Sequence, residues 1–134
     1  MRRLAHALAL IAALALVTTA CGGNEDSGLP SADPTSTPAD HVTIVDSAFE
    51  PKTFQILVNT EARWVQTGSL PHSVTADDGS FTSHLACSAS DTSQCMKTDD
   101  EFKHLFTKAG SYPYHCVIHG GPGGSGMSGV IVVT

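Results

Sequence analysis

Hydrophobic and polar positions alternate over short stretches from about residue 41 onward, and no long helical period is present. These stretches are rich in β-branched and aromatic residues and are separated by Gly, Pro, Asn and Asp, a pattern typical of short strands joined by turns. The predicted strands cover residues 41–46, 53–58, 62–66, 72–75, 101–106, 112–116 and 129–133. Regular short strands predict an all-β sandwich or barrel. A weak pattern at 82–99 leaves room for a helical turn.

The first 21 residues are interpreted as an export signal. Arg2 and Arg3 precede an apolar run of 11 residues, 7–17, which suits a signal peptide and is too short to span a bilayer. The run ends in a Val-Thr-Thr-Ala-Cys segment similar to the cleavage site of bacterial lipoproteins, which predicts lipidation of Cys21; plain secretion, with Cys21 lost or free, is the alternative. Residues 22–40 are rich in Gly, Pro and Ser and predict a flexible linker. The ordered domain is expected over 41–134.

The net charge of the chain limits the classes of partner that it could attract. The sequence of 134 residues has 7 basic and 13 acidic side chains, for a net charge of −6, and loss of Arg2 and Arg3 would leave 5 against 13, or −8. Such a chain is poorly suited to nucleic acid or anionic lipid, whereas a cationic partner would be attracted. The length excludes large multidomain enzymes.

Two of the four cysteines lie close together in a polar segment. Cys87 and Cys95 are separated by seven residues, and in an exported protein this spacing predicts a disulfide that closes a surface loop. A second metal site formed by His84, Cys87 and Cys95 is the competing interpretation. The disulfide would leave Cys116 unpaired, and a free thiol in an oxidising compartment needs protection or a ligand.

Four side chains form a candidate metal-ligand set. Cys116 ends a predicted strand, His119 follows three positions later, and Met127 precedes the last strand. His72 lies upstream, after Pro71. Two imidazoles, a thiolate and a thioether suit copper that cycles between two oxidation states, with the thioether as a weak axial ligand.

The segments that carry these residues resemble the cupredoxins, specifically the small plastocyanin-like blue copper proteins. The resemblance covers the whole domain, and its most specific parts are Pro-His-Ser-Val at 71–74, Gly-Ser-Tyr-Pro-Tyr-His-Cys-x-x-His at 110–119 and Gly-Met-Ser-Gly at 126–129. It implies an eight-stranded Greek-key β-sandwich that holds one copper ion at one end. Its ligands would be His72, Cys116, His119 and an axial Met127. One departure is the glycine-rich loop 120–126, which is longer than in plastocyanin-like members.

The resemblance implies a single-electron carrier and not an enzyme, and the predicted lipidation of Cys21 would tether it to the outer face of the membrane by a lipid anchor only. Its partners would be redox proteins such as cationic cytochromes or oxidase subunits, and the carrier would be a monomer. A copper-binding or delivery protein of the cell envelope is the alternative, although the three methionines form no cluster. A metal-free interaction module is a third hypothesis, which the complete ligand set disfavours.

The remaining polar residues are assigned ordinary roles. In copper nitrite reductases, a His directly before the thiolate ligand binds a second, catalytic copper, but that site needs further histidines and Asp77 occupies the nearby position here. We therefore expect no catalysis by His115. Asp77 and Asp78 are expected in a solvated turn. Surface positions are expected for His41, His84 and His104.

Overall fold

The structure, a computed structural model, describes residues 40–134. They form eight strands, arranged in two four-stranded sheets, and contain no helix. The all-β sandwich with about eight strands is confirmed. The strands are β1 (Val42–Val45), β2 (Ala48–Glu50), β3 (Thr53–Ile56), β4 (Thr60–Gln66), β5 (Thr75–Ala76), β6 (Glu101–Phe106), β7 (Gly110–Gly121) and β8 (Ser125–Val133).

Within this described part, no helix is long and apolar enough to cross a membrane. The proposed export signal and lipidated Cys21 lie outside the described residues, as does the linker up to residue 39.

The first sheet has the order β2-β1-β4-β6 and follows directly from the alternation in the sequence. In β4, Ala62, Trp64 and Gln66 are buried, while the intervening side chains face outward. This period of two places one face of the strand in the core. Strand β1 pairs parallel to β4, and β6 pairs antiparallel to it.

The second sheet has the order β3-β8-β7-β5 and packs its inner face against the first. Tyr114 of β7 is fully buried and joins the two sheets: its ring lies 5.5 Å from that of Trp64 and 4.7 Å from that of Phe49, centroid to centroid. Both pairs are edge-on, an arrangement that aromatic rings favour. This aromatic contact forms the centre of the core.

The structure differs from the predicted elements in several places. The segment 72–75 becomes regular strand only at Thr75, because His72 instead makes an isolated bridge with Met96. Strand β2 was missed because its three residues show only one buried position, Phe49. Residues 82–99 contain turns and no helical turn. Their Ser and Asp side chains accept backbone N–H groups locally and so compete with helix formation.

The glycine-rich loop is a continuation of the hairpin formed by β7 and β8. The two strands extend to Gly121 and from Ser125, well beyond the predicted 112–116 and 129–133. Gly120 lies opposite Gly126, and Gly121 opposite Ser125. The tip contains two consecutive glycines with left-handed backbone, Gly123 at φ 76° and Gly124 at φ 81°. Glycine suits this tight turn because it has no Cβ.

A disulfide joins Cys87 and Cys95, the pairing that the spacing predicts. Both sulfurs are used in this bond, so the alternative metal site with His84 does not form. Within residues 40–134, Cys116 is the one free cysteine, and it is buried. The segment after the disulfide is tied to the candidate ligand His72, because His72 and Met96 exchange backbone hydrogen bonds of 2.9 and 3.1 Å.

Candidate metal centre

Three of the four predicted ligands converge at one end of the sandwich. The Nδ1 atoms of His72 and His119 lie 3.1 Å apart, and the Cys116 sulfur lies 3.7 Å from the first and 3.6 Å from the second. His72 and Cys116 are completely buried, whereas His119 is exposed. The cluster is therefore built from inside the protein and opens toward solvent at one imidazole.

The local path of β7 brings Cys116 and His119 together. The strand pairs regularly with β8 up to His115, and the register then shifts before pairing resumes at Gly120. Such an irregularity bends the strand and re-aims its side chains. As a result, two residues three positions apart both direct a donor atom to the cluster.

The third donor is supplied by the segment between β4 and β5. Asp46 accepts hydrogen bonds from the backbone N–H groups of Ser69 and Leu70 and from the Ser69 hydroxyl. These bonds lower the pKa of Asp46 and hold the turn that precedes His72. Together with the Met96 bridge, they fix the backbone on both sides of the imidazole.

Ser73, which lies in the Pro-His-Ser-Val motif, is a site residue for which the sequence predicts no role. Its backbone N–H donates to the Cys116 sulfur at 3.4 Å, and its hydroxyl accepts the N–H of Val117 at 2.9 Å. Ser73 is fully buried. It therefore joins the His72 segment to the chain that carries Cys116. A serine directly after a candidate ligand was the available signal, but its partners are 43 and 44 positions away.

The protonation of His72 favours metal binding. Burial and, secondly, the neighbouring His119 imidazole lower its pKa, while the carboxylate of Asp46 opposes them. The His72 imidazole is therefore neutral at neutral pH. A neutral ring keeps a lone pair on one nitrogen, which metal coordination requires.

The geometry and chemistry of these donors fit a copper ion. A triangle with sides of 3.1, 3.6 and 3.7 Å has its centre about 2 Å from each corner, close to the length of metal–imidazole and metal–thiolate bonds. Two imidazoles and one thiolate form the trigonal set typical of blue-copper sites. The cluster is thus suited to one copper ion.

Comparison with known proteins agrees with this geometry. The sequence profile of the copper-binding proteins of the plastocyanin/azurin family matches residues 39–134. The chain belongs to this family. Membership implies copper-mediated electron transfer, and one copper ion is the cofactor. No curated protein sequence matches the chain significantly.

Solved structures show the same fold. An oxidised proline-to-glycine mutant of amicyanin is 25% identical, with a TM-score of 0.55 over 77% of this chain and 89% of that one. A reduced proline-to-phenylalanine mutant of amicyanin is 25% identical, with a TM-score of 0.53 over 75% and 87% of the two chains. A purple cupredoxin from Nitrosopumilus maritimus is 24% identical, with a TM-score of 0.52 over 72% of this chain and all of that one. The cupredoxin fold predicted from the sequence is confirmed.

Met127, the predicted axial ligand, is buried near the start of β8. Its backbone lies against Gly120, the residue after His119: a Cβ on Gly120 would come within 2.5 Å of the Met127 carbonyl oxygen. Met127 is therefore at the same end of the cupredoxin as the three-donor cluster. Met96 is also buried, in the core.

The expected solvated turn at Asp77 and Asp78 is wrong for Asp77. Its side chain is only 14% exposed, and Oδ1 lies 2.7 Å from Nδ1 of the buried His115. Oδ2 accepts the backbone N–H of Gly123 at 2.8 Å. Asp78 is exposed, as expected, and accepts the backbone N–H of Ser80.

The surface histidines are only partly as expected. His84 is exposed, but His104 is partly buried between the rings of Phe81 and Phe106, at centroid distances of 4.7 and 4.8 Å. Burial lowers the pKa of His104. His41 is also partly buried. His104 was misassigned because a lone histidine in an alternating strand does not reveal the aromatic residues that reach it from elsewhere.

Replacing both Cys87 and Cys95 with Ser is expected to lower the free energy of unfolding by about 2–3 kcal/mol, because the unfolded chain gains the freedom of an open loop. The visible spectrum of the copper-loaded protein is expected to stay the same, since the backbone bonds between His72 and Met96 do not use the sulfurs. Denaturant titration and absorption spectra check both effects. A changed spectrum would instead show that the disulfide positions His72.

Proposed function

We propose that this cupredoxin is a single-electron carrier with a mononuclear type 1 copper site. His72, Cys116 and His119 would be the three strong ligands, and Met127 the weak axial one. The observation that carries the proposal is the convergence of two imidazole nitrogens and one thiol sulfur within 3.7 Å of one another. An ion bound there supplies a one-electron couple between two oxidation states, so no bond of a substrate needs to change.

The surrounding residues support electron transfer by keeping the donors in place. Ser73 ties the backbone of the His72 segment to Cys116, and the bridge to Met96 holds the other side. A rigid set of donors needs little rearrangement when the charge of the site changes. Complete burial of His72 and Cys116 also favours retention of a metal over its delivery to another protein.

The exposed ring of His119 is the proposed entry and exit point for the electron. It is the one member of the three-donor cluster that reaches solvent. Gly120, Gly121 and Pro122 follow it and carry no long side chain, so a partner could approach closely. The acidic net charge supports a cationic redox partner, met by a monomer of this chain in a brief encounter.

The proposed location is the outer face of the bacterial membrane. The apolar run 7–17 and Cys21 support export and lipid anchoring, and residues 22–40 would serve as the tether. This arrangement would restrict the carrier to encounters near the membrane surface. Radiolabelled fatty acid tests it: incorporation is expected in the parent and absent in Cys21→Ala.

Addition of Cu(II) to the purified metal-free protein tests the copper site. One equivalent is expected to produce an intense visible band and the narrow-hyperfine paramagnetic-resonance spectrum of a type 1 centre. The reduced protein is then mixed rapidly with a ferric cytochrome of high isoelectric point. Fast oxidation without loss of copper supports a carrier, whereas transfer of copper to a competing apoprotein without electron transfer would support the delivery alternative.

Met127→Leu is expected to retain copper but raise the reduction potential. The substitution replaces a weak donor with an apolar group, and the more highly charged oxidised ion loses more from that change. Voltammetry and absorption spectra measure the effect. Met96→Leu is the matched control, because Met96 is also buried but lies outside the proposed ligand set. An unchanged potential in Met127→Leu would show that Met127 is not a ligand.

A further inference from the structure

Within residues 40–134, one side-chain hydrogen bond connects the tip of the glycine-rich hairpin to another segment. The hairpin joins His119 to Met127, yet five of the seven residues in 120–126 are glycines, which provide no side chains for packing. Among the hydrogen bonds of residues 40–134, the one that reaches the tip from a side chain of another segment is that from Gly123 N–H to Asp77 Oδ2, at 2.8 Å. The conformation of the tip therefore depends on this carboxylate.

Asp77 is itself held firmly on the core. Its backbone N–H donates to the carbonyl oxygen of Pro113 at 2.9 Å, which continues the pairing of β5 with β7. Its other carboxylate oxygen, Oδ1, contacts the ring of His115 at 2.7 Å. Both groups are largely shielded from water, with 14% of the Asp77 side chain and 9% of the His115 side chain exposed. Charge-assisted hydrogen bonds in such surroundings are among the stronger ones in proteins.

We infer that Asp77 is a positioning residue that clamps the ligand hairpin. Its Oδ1 contacts the ring of His115, directly before Cys116. Its Oδ2 accepts the N–H of Gly123 at the hairpin tip, between His119 and Met127. The clamp thus couples the strand before Cys116 to the middle of the loop between His119 and Met127, and a single side chain sets the position of the hairpin tip relative to the site. It also explains how a loop so rich in glycine can maintain a fixed geometry. The consequence for copper rests on the proposed function, but the clamp itself does not.

Amide hydrogen exchange of the metal-free protein, followed by NMR, tests the clamp directly. In the parent, the Gly123 amide is expected to be protected relative to Gly124, the neighbour at the same tip with similar backbone geometry. Asp77→Ala is expected to accelerate exchange at Gly123 by about 10- to 100-fold, as for the loss of a hydrogen bond to a charged group. Equal exchange of Gly123 and Gly124 in the parent would overturn the inference, even if the variant fails to fold.

Two further variants separate the clamp from a general effect of charge. Asp77→Asn keeps one oxygen that can accept the Gly123 N–H, so it is expected to restore most of the protection. Asp78→Ala removes the adjacent exposed carboxylate and is expected to change nothing at Gly123. An effect of Asp78→Ala as large as that of Asp77→Ala would contradict a specific clamp.

The copper-loaded variants test the effect on the site. Asp77→Ala is expected to release copper to a chelator about 10- to 100-fold more readily, the usual cost of losing a group that orients metal ligands. Its potential and visible spectrum should also shift, while those of Asp77→Asn remain near the parent values. Altered amide exchange with unaltered copper properties would show that the clamp holds the tip but not the ligands. Failure of the parent to bind copper would count against the proposed function alone.

Discussion

Cys116→Ala is expected to abolish the intense visible absorption of the copper-loaded protein. The band arises from charge transfer between a thiolate and copper, and Cys116 is the one free cysteine among residues 40–134. Its sulfur lies 3.6–3.7 Å from both imidazole nitrogens of the cluster. The substitution removes a single buried sulfur, so the β-sandwich is expected to persist. Absorption spectra after addition of one equivalent of Cu(II), with circular dichroism to monitor the fold, measure both results.

His84→Ala is the control for this experiment. It removes an exposed imidazole outside the three-donor cluster and is expected to leave the visible band unchanged. A Cys116→Ala protein that is still blue would show that the thiolate lies elsewhere and would contradict the proposed site.

Gly120→Ala is expected to lower the free energy of unfolding by about 1–3 kcal/mol, the usual range for overpacking. A Cβ at this position would lie 2.5 Å from the carbonyl oxygen of Met127, 2.7 Å from that of Ser125 and 2.8 Å from the Met127 nitrogen. All three are backbone atoms of the opposing strand, so they cannot rotate away and the hairpin must open. Because Gly120 follows His119, the potential and visible spectrum should change as well. Denaturant titration and voltammetry check the two effects.

Gly121→Ala is the matched control, one residue further along the same strand. Apart from its own chain neighbours, no atom lies within 4 Å of the position that its Cβ would occupy, and its backbone is not left-handed. Its effect on stability is expected to stay within about 0.5 kcal/mol, as for an ordinary surface substitution. Equal losses in Gly120→Ala and Gly121→Ala would mean that close approach of the two strands is not what Gly120 provides.

The metal-ligating residues could be predicted in part from the sequence, because two of them are close together along the chain. Cys116 and His119 are three positions apart, so a single irregularity in one strand can direct both to the same point. His72 is far away in sequence, and its weight as a candidate came from its Pro-His context. Alternation predicted β4 well, because one of its faces is fully buried. It missed β2, which has only three residues.

The contacts of Asp77 and Ser73 could not be predicted from the sequence, because their partners lie far away along the chain. The partners of Asp77 are 38 and 46 positions away, and an Asp-Asp-Gly-Ser segment has the composition of a solvated turn. Its first carboxylate is instead enclosed because β5 pairs with β7 and the extended hairpin brings Gly123 to it. Nothing within the turn distinguishes Asp77 from Asp78.

The amino-acid order alone was enough to specify an all-β chain with a nitrogen–sulfur donor set, because residue chemistry and a period of two are local properties. Only the three-dimensional fold decided that the glycine-rich loop is an ordered hairpin, that Asp77 grips its tip and that Gly120 has no room for a side chain. These features depend on the contacts of Asp77 with His115 and Gly123, at 2.7 and 2.8 Å, and on the close approach of the two hairpin strands at Gly120. Such distances are set by the pairing of β5, β7 and β8 within the second sheet, and no local sequence pattern contains them.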